Sequence, residues 1–205
     1  MSNNRWWEQY KVDLPVGVSG AWRVERFDVS KKDEQWSSFM DGRRHVNEGT
    51  YTRLMRGGEV IMSDTRAEIV DHLTVIRKAC GHVLINGLGL GAVLCAVARK
   101  PEVEHVTVVE LESDVIALAA QHYIDRYGAK IEIICADAFT WQPPKGKRFD
   151  VVWHDIWPYI TTDNLKEMGK LHRRYGRRCN WQGSWAKELC QFHRRREKRQ
   201  YSGWF

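Results

Sequence analysis

Residues 83–92 read Val-Leu-Ile-Asn-Gly-Leu-Gly-Leu-Gly-Ala, and this stretch decides the fold. A short apolar run leads directly into Gly87, Gly89 and Gly91, and an alanine-rich helical pattern follows at once. Glycines at such a turn let the chain bend sharply and let a ligand approach the backbone, and the helix N-terminus adds free N–H groups. The pattern predicts a ligand-binding strand, turn and helix, and the alternative is glycines that serve only close strand–helix packing.

Outward from this turn, strand and helix patterns alternate along the chain. Short apolar runs predict strands at residues 82–86, 105–110, 131–135 and 149–154. Helical periodicity predicts helices at residues 66–79, 90–100, 113–123, 161–175 and 184–199. Strands that alternate with helices indicate an α/β protein with a parallel, Rossmann-like sheet.

The segment before the first of these helices has a different composition. It is rich in Val, Thr, Tyr and Phe, and Gly57-Gly58 is suited to a tight hairpin turn, so we predict a small N-terminal β lead-in. Thr65 and Glu68 have the spacing of a capping box at the start of the helix. We divide the chain into this lead-in (1–64), a Rossmann-like core (65–160) and a basic helical C-terminal segment (161–205).

Two acidic residues lie at the carboxyl ends of predicted core strands, where ligands bind in open α/β sheets. Glu110 ends the second predicted strand of the core, 21 residues beyond Gly89, and is placed to bind ribose hydroxyls. Asp137 follows the third strand, where the N-cap of a short helix explains it equally well. The spacing from Gly87 to Ala92 also fits a dinucleotide fingerprint, so the turn alone does not separate nicotinamide cofactors from S-adenosylmethionine (SAM).

The order of these motifs, closed by Phe-Asp-Val-Val-Trp-His-Asp-Ile-Trp-Pro at 149–158, resembles the class I SAM-dependent methyltransferase fold. Over about residues 50–160 the chain is most similar to the spermidine-synthase-like branch of that fold. That branch carries a β hairpin and a helix before its first core strand, and residues 57–72, Gly-Gly-Glu-Val-Ile-Met-Ser-Asp-Thr-Arg-Ala-Glu-Ile-Val-Asp-His, look similar.

The resemblance implies a role for each matching residue. The glycines would surround the methionine and ribose of SAM, Glu110 would bind the ribose, and Asp137 would face the adenine. The implied cofactor-binding set is Gly87, Gly89, Gly91, Glu110, Asp137 and Ala138. Asp155 would stand beside the acceptor as the catalytic residue. The predicted acceptor-binding residues are Asp64, His154, Trp157 and Tyr159.

Two features depart from that branch. Its aminopropyltransferases carry an acidic residue within the glycine-rich turn, whereas residues 86–91 contain none. Only 47 of the 205 residues follow Pro158, which is too few for the three further strands and their helices of a full class I sheet. We therefore predict a sheet truncated after its fourth strand, with helices 161–175 and 184–199 in place of the missing half.

The chemistry of the proposed site needs few groups. SAM offers a sulfonium-activated carbon, so one carboxylate at Asp155 with an aromatic wall is enough to orient an acceptor and take its proton. Residues 155–159 also loosely resemble the D-P-P-Y element of methyltransferases that act on base amino groups, in which Trp157 or Tyr159 would stack a flipped base. We predict a SAM-dependent methyltransferase with a small-molecule or nucleic-acid acceptor. Two alternatives stay open: an aminopropyltransferase, and a non-catalytic SAM-binding or nucleic-acid-interaction protein.

The net charge of +6 is concentrated at one end of the chain. From Lys166 onward there are 12 Lys and Arg against 3 acids, whereas residues 1–165 carry 20 against 23. Such a segment can bind phosphates, with Trp181, Trp185, Tyr201 and Trp204 available for stacking on bases. A solvated helix face is an equally good interpretation.

Cysteine pattern and hydropathy indicate the environment. The five cysteines form no CxxC pair, and Cys179, Cys190, His172 and His193 match no compact zinc module, so we predict neither disulfides nor a metal site. The longest apolar stretch, 81–98, contains polar residues and four glycines, and the N-terminus has no apolar signal core. We expect a soluble cytoplasmic protein with no membrane partner. A truncated sheet leaves one edge unprotected, which favours either covering helices or a partner subunit. A homo-oligomer is therefore one of two open alternatives.

Overall fold

The computed structural model describes residues 5–41 and 44–202. The strands are β1 Gly17–Ser19, β2 Trp22–Val29, β3 Gly49–Arg56, β4 Glu59–Ser63, β5 Gly81–Asn86, β6 Val103–Glu110, β7 Ile131–Cys135, β8 Phe149–His154 and β9 Cys179–Ser184. The helices are α1 Lys31–Asp41, α2 Arg66–Lys78, α3 Ala92–Ala98, α4 Ser113–Tyr127, α5 Asn164–Tyr175 and α6 Lys187–Ser202. Short 3₁₀ turns lie at Trp6–Tyr10 and Gly128–Lys130.

The core is a five-stranded parallel sheet with the strand order β7-β6-β5-β8-β9. The central strand β5 is buried on both faces, because Val83 and Ile85 pack into one hydrophobic cluster and Leu84 into another. This double burial explains its continuous apolar sequence. The predicted α/β class and Rossmann-like parallel sheet are confirmed.

The sheet ends one strand later than predicted. β9 pairs in parallel with β8 from Phe149 opposite Cys179 to His154 opposite Ser184, so truncation after the fourth strand was wrong. The strand has the polar sequence Cys-Asn-Trp-Gln-Gly-Ser, which lacks an apolar run. Its glycine, Gly183, packs so tightly that a Cβ there would lie 2.8 Å from the ring of Trp153. Helices α5 and α6 flank β9 close to their predicted positions.

The N-terminal strands form a second sheet, which is antiparallel and has the order β1-β2-β3-β4. The predicted turn at Gly57-Gly58 joins β3 to β4, and both glycines have positive φ angles of 56° and 96°. β4 lies against the glycine turn of the parallel sheet, where the Leu90 amide donates to Met62 Sδ at 3.2 Å. The hairpin therefore covers the carboxyl edge of the parallel sheet.

The two faces of the parallel sheet are covered by different parts of the chain. One cluster joins β5, β6 and β8 to α2, α3, α4 and the N-terminal sheet, and the other joins them to α5 and α6. No helix in residues 5–41 and 44–202 is long and apolar enough to cross a membrane.

Candidate active site

A cavity of about 840 Å³ lies at the carboxyl ends of β5, β6, β7 and β8. It straddles the point between β5 and β8 where the strand order reverses, which is where ligands bind in open α/β sheets. Its volume falls within the roughly 300–1,000 Å³ typical of small-molecule sites. Of the residues predicted from sequence, those that line it are Gly87, Gly89, Glu110, Asp137, Ala138, Asp155, Trp157 and Tyr159.

The glycine turn needs two of its glycines at the cavity wall. Gly87 has a φ of 99°, and a Cβ there would lie 2.0 Å from the carbonyl oxygen of Asp155. Gly89 has a φ of 52° and lies beneath Met62. Gly91 instead is the N-cap residue before α3, where a Cβ would lie 2.3 Å from the Tyr123 ring, and it is not among the lining residues. Gly91 therefore serves packing in this structure. Packing is the alternative role that the sequence left open for all three glycines.

Glu110 is buried at the end of β6 and supports the turn. Its Oε2 accepts a hydrogen bond from the Leu88 amide at 2.7 Å, and its Oε1 accepts one from the Glu112 amide at 2.9 Å. A carboxylate has further lone-pair sites, so Glu110 can still accept hydrogen bonds from a ligand in the cavity. The residue therefore couples the shape of the turn to the ligand site.

Asp137 stabilises a turn and also lines the cavity. Its Oδ1 accepts a hydrogen bond from the Phe139 amide at 2.8 Å and so stabilises the turn that follows β7. This bond leaves Oδ2 available, and the residue lines the cavity together with Ala138 and Phe139. The arrangement places one acceptor oxygen beside two apolar side chains at the cavity wall.

Asp155 follows β8 and forms a pair with a residue that the sequence analysis missed. The Nε2 atom of His72, on α2, lies 3.6 Å from Asp155 Oδ2. The Asp155 side chain is 18% exposed, and the buried His72 Nδ1 has no hydrogen-bond partner among the described residues. Burial raises the pKa of Asp155 above its ordinary value, and proximity to His72 opposes part of that rise.

Glu68 is a third ionisable group in this part of the cavity. Its oxygens accept hydrogen bonds from the Ser63 amide at 2.9 Å and from the Ser63 hydroxyl at 2.8 Å. The predicted capping box is wrong in detail, because the Thr65 side chain makes no cap bond and Glu68 binds Ser63 instead. Burial raises the pKa of Glu68 to about 7, and the charges of Asp155 and Asp71 add to that effect.

This shifted pKa predicts a pH-dependent stability. The folded chain holds the Glu68 proton up to about pH 7, whereas the unfolded chain releases it near 4.5, so stability falls as pH rises between these values. Glu68→Gln mimics the protonated form. We expect the variant to match the parent at pH 4 and to exceed its unfolding free energy by roughly 1–3 kcal/mol at pH 8. Urea unfolding at both pH values measures this, with exposed Glu132→Gln as control, and an equal pH response of parent and variant would contradict it.

Two predicted acceptor residues do not reach the cavity. His154 is fully buried and points to the opposite face of the sheet, where Asn86 Nδ2 donates to its Nδ1 at 2.7 Å. Its Nε2 lies 3.3 Å from Gln182 Oε1, and burial lowers its pKa to about 3. Asp64 accepts hydrogen bonds from the Thr52 amide at 2.7 Å and the Val12 amide at 3.1 Å, which anchors the N-terminal segment. Neither side chain lines the site.

The two aromatic residues after β8 lie at the cavity instead. The Trp157 indole is buried and donates to Glu167 Oε2 at 2.7 Å, which ties it to α5. Tyr159 is 54% exposed, and its hydroxyl donates to Glu59 Oε2 at 2.6 Å across to the β3–β4 hairpin. Both residues line the cavity together with Asp155.

The cavity is strongly acidic. Its carboxylates are Glu59, Glu68, Glu110, Glu112, Asp137, Asp155 and Glu167, and the arginine among its lining residues is Arg56. A site lined by one sign of charge attracts ligands of the opposite sign. No group of three His, Cys, Asp or Glu in the described ranges is arranged to hold a metal ion. The charge therefore favours a cationic ligand or one rich in N–H donors.

The parallel sheet, with a cavity at the carboxyl ends of its strands, is a Rossmann-like α/β arrangement. Residues 83–176 match the family model described as a methyltransferase domain. The match confirms the predicted resemblance, and it extends from β5 through α5.

Individual relatives are more distant. The chain is 30% identical over 95 residues to a polyamine aminopropyltransferase from Sodalis glossinidius, which covers 43% of this chain and 33% of that protein. The chain thus spans about a third of this curated relative. Among solved structures, spermidine synthase from Thermotoga maritima is 18% identical with a TM-score of 0.43, covering 77% of this chain and 52% of the other. A SAM-dependent methyltransferase from Clostridium acetobutylicum is 14% identical with a TM-score of 0.39, covering 54% and 43%.

Proposed function

We propose that this chain is a SAM-dependent methyltransferase that methylates a nitrogen atom of an amine or amino-group acceptor. The observation that carries the proposal is the division of one cavity along the sheet edge. Gly87, Glu110 and Asp137 lie at the ends of β5, β6 and β7, and the Asp155–His72 pair lies beyond β8. One ligand can occupy each part, and the two meet where the strand order reverses.

The residues of the first part suit SAM, which when bound supplies a methyl group activated by a positive sulfonium. A side chain at Gly87 would displace the Asp155 carbonyl from its place beside the turn, so a glycine keeps the two parts of the cavity in contact. Glu110 would accept from the ribose hydroxyls and Asp137 Oδ2 from the adenine amino group. The surplus of carboxylates favours binding of the sulfonium charge.

The residues of the second part suit an acceptor that loses a proton. Asp155 would accept a hydrogen bond from the acceptor nitrogen and take its proton during transfer. A carboxylate with a raised pKa is a better proton acceptor near neutral pH than an ordinary one, and burial raises the pKa of Asp155. Trp157 and Tyr159 would hold the acceptor in place and limit access of water.

A second candidate is aminopropyl transfer to an amine. It is favoured by the similarity to a polyamine aminopropyltransferase and by the acidity of the cavity, which would suit a polyamine. The absence of an acidic residue from the glycine turn, residues 86–91, argues against it. A non-catalytic SAM-binding protein is the third candidate.

Identification of the reaction product separates these candidates. The purified chain is incubated with SAM or with decarboxylated SAM, together with a panel of polyamines, small aromatic amines and single-stranded oligonucleotides. We expect S-adenosylhomocysteine from SAM, detected by mass spectrometry above a no-acceptor background. Methylthioadenosine formed from decarboxylated SAM would replace the proposal with aminopropyl transfer. Bound SAM without either product would identify a binding protein.

A further inference from the structure

One face of α5 carries an unpaired row of cations. Lys166, Lys170 and Arg173 lie on α5, and Arg177 follows in the turn after it. All four side chains are exposed, and the spacing of four and three residues places the first three on one side of the helix. Among the described residues, none of these side chains makes an ion pair or a hydrogen bond. We call these four residues the basic face.

The basic face begins beside the cavity. Lys166 is adjacent to Glu167, whose carboxylate binds Trp157 at the cavity wall. At the same end of the helix, Asn164 Nδ2 donates to the Tyr159 carbonyl at 2.6 Å. From Lys166 to Arg173 the row runs about 10 Å away from the site, given the rise of an α-helix. A polyanion lying along it would therefore end at the exposed ring of Tyr159.

The remaining surfaces of α5 restrict the kind of partner. Met168, Leu171 and Tyr175 form its apolar side and are at most 1% exposed, so no apolar side is left to enter a membrane or to form the core of a protein interface. The neighbouring helix α6 adds exposed Arg194, Arg195 and Arg196. On α5 the cations have no exposed apolar complement, which suits a phosphate backbone that binds through charge and counterion release.

We propose that the basic face binds single-stranded nucleic acid and guides one unpaired base past Tyr159 to the acidic cavity. The inference rests on the proposed function, because it supplies the acceptor amino group. A single strand fits better than a duplex, since only an unpaired base can leave the strand without paying for base-pair disruption. The phosphates would stay on the basic face, away from the cavity carboxylates, and Tyr159 would stack on the entering base.

Of the four stacking residues predicted from sequence, the structure describes the side chains of two. Trp181 stacks on Trp153 with ring centroids 6.3 Å apart, and Trp185 lines the cavity. The side chain of Tyr201 and all of Trp204 lie outside the described part of the chain. The aromatic residue that serves the proposed path is therefore Tyr159.

Salt-dependent binding tests the inference. Fluorescently labelled single-stranded 20-mers of RNA and of DNA, and a DNA duplex of the same length, are titrated with the full chain at several salt concentrations. For the triple variant Lys166→Gln, Lys170→Gln, Arg173→Gln we expect the slope of log affinity against log salt to flatten by about 2 units, at about 0.7 per lost phosphate contact. The matched control Lys31→Gln, Lys32→Gln, Lys145→Gln removes three other exposed cations and should keep the parent's slope.

The possible results of these titrations support or overturn the inference as follows. Equal flattening in both triple variants would show diffuse charge attraction and overturn the inference, as would tighter binding of a duplex or no binding by the parent at physiological salt. The ratio of RNA to DNA affinity identifies which strand is preferred. SAM binding is measured by calorimetry on the same samples. Intact SAM binding without nucleic-acid binding would reject only this inference, whereas a parent that binds no SAM would reject the proposed function itself.

Discussion

Asp155→Asn is expected to lower kcat for methyl transfer by about 10²- to 10⁴-fold, the usual contribution of a general base. The substitution keeps the size of the side chain but removes both its basicity and its charge beside His72. SAM binding should persist, because the residues proposed to hold SAM lie on β5, β6 and β7 rather than on β8. Single-turnover kinetics with the acceptor found by product analysis measures the change.

Asp163→Asn provides the control for this prediction. Asp163 is exposed, precedes α5 and makes no side-chain cap bond, so its loss of charge should leave kcat unchanged. If Asp155→Asn retained kcat within about threefold of the parent, proton transfer to this carboxylate would not limit the reaction. Asp155 would then be a residue that only orients the acceptor.

Glu110→Gln is expected to weaken SAM binding roughly 10- to 100-fold, which corresponds to about 1.5–3 kcal/mol for a charge-assisted hydrogen bond. Glutamine retains one oxygen for the Leu88 amide, so the glycine turn should keep its shape, whereas alanine would leave two amides unpaired. Calorimetry below the melting temperature measures the affinity directly.

Glu104→Gln is the matched control for that measurement. Glu104 lies on the same strand with a side chain 73% exposed, so its substitution should not change the affinity. An unchanged affinity in Glu110→Gln would mean that the carboxylate only braces the turn. The hydrogen bonds to Leu88 and Glu112 would then account for all of its role.

Sequence patterns predicted the parallel sheet because central strands such as β5 and β8 are largely buried and the strands alternate with helices. They missed β9 because Asn180, Gln182 and Gly183 interrupt any apolar pattern, and a single parallel neighbour is enough to hold the strand. Helix α1 was also not predicted, because its large apolar residues Trp36 and Phe39 are exposed and do not mark a buried helix face.

The site was predicted in part for a related reason. Strand ends identify Glu110, Asp137 and Asp155, because parallel strands all deliver their following residues to one edge. His72 was missed because it occupies an apolar-face position of α2 between Ile69 and Ile76, where a buried histidine is ordinary. His154 was wrongly expected at the cavity because adjacent residues of a strand point to opposite faces, and Asp155 takes the cavity side.

The reversal of strand order between β5 and β8 has an evolutionary consequence. In the proposed function, residues 81–140 handle the methyl donor, whereas the groups facing the acceptor come from the β3–β4 hairpin, α2 and residues 149–175. Substitutions or recombination in the second set can thus change the acceptor while the donor site is inherited intact. Such changes must preserve the close approach of Gly87 to the Asp155 carbonyl, because this contact connects the two parts of the cavity. We expect descendants of this chain to diverge in their acceptor substrate sooner than in their methyl donor.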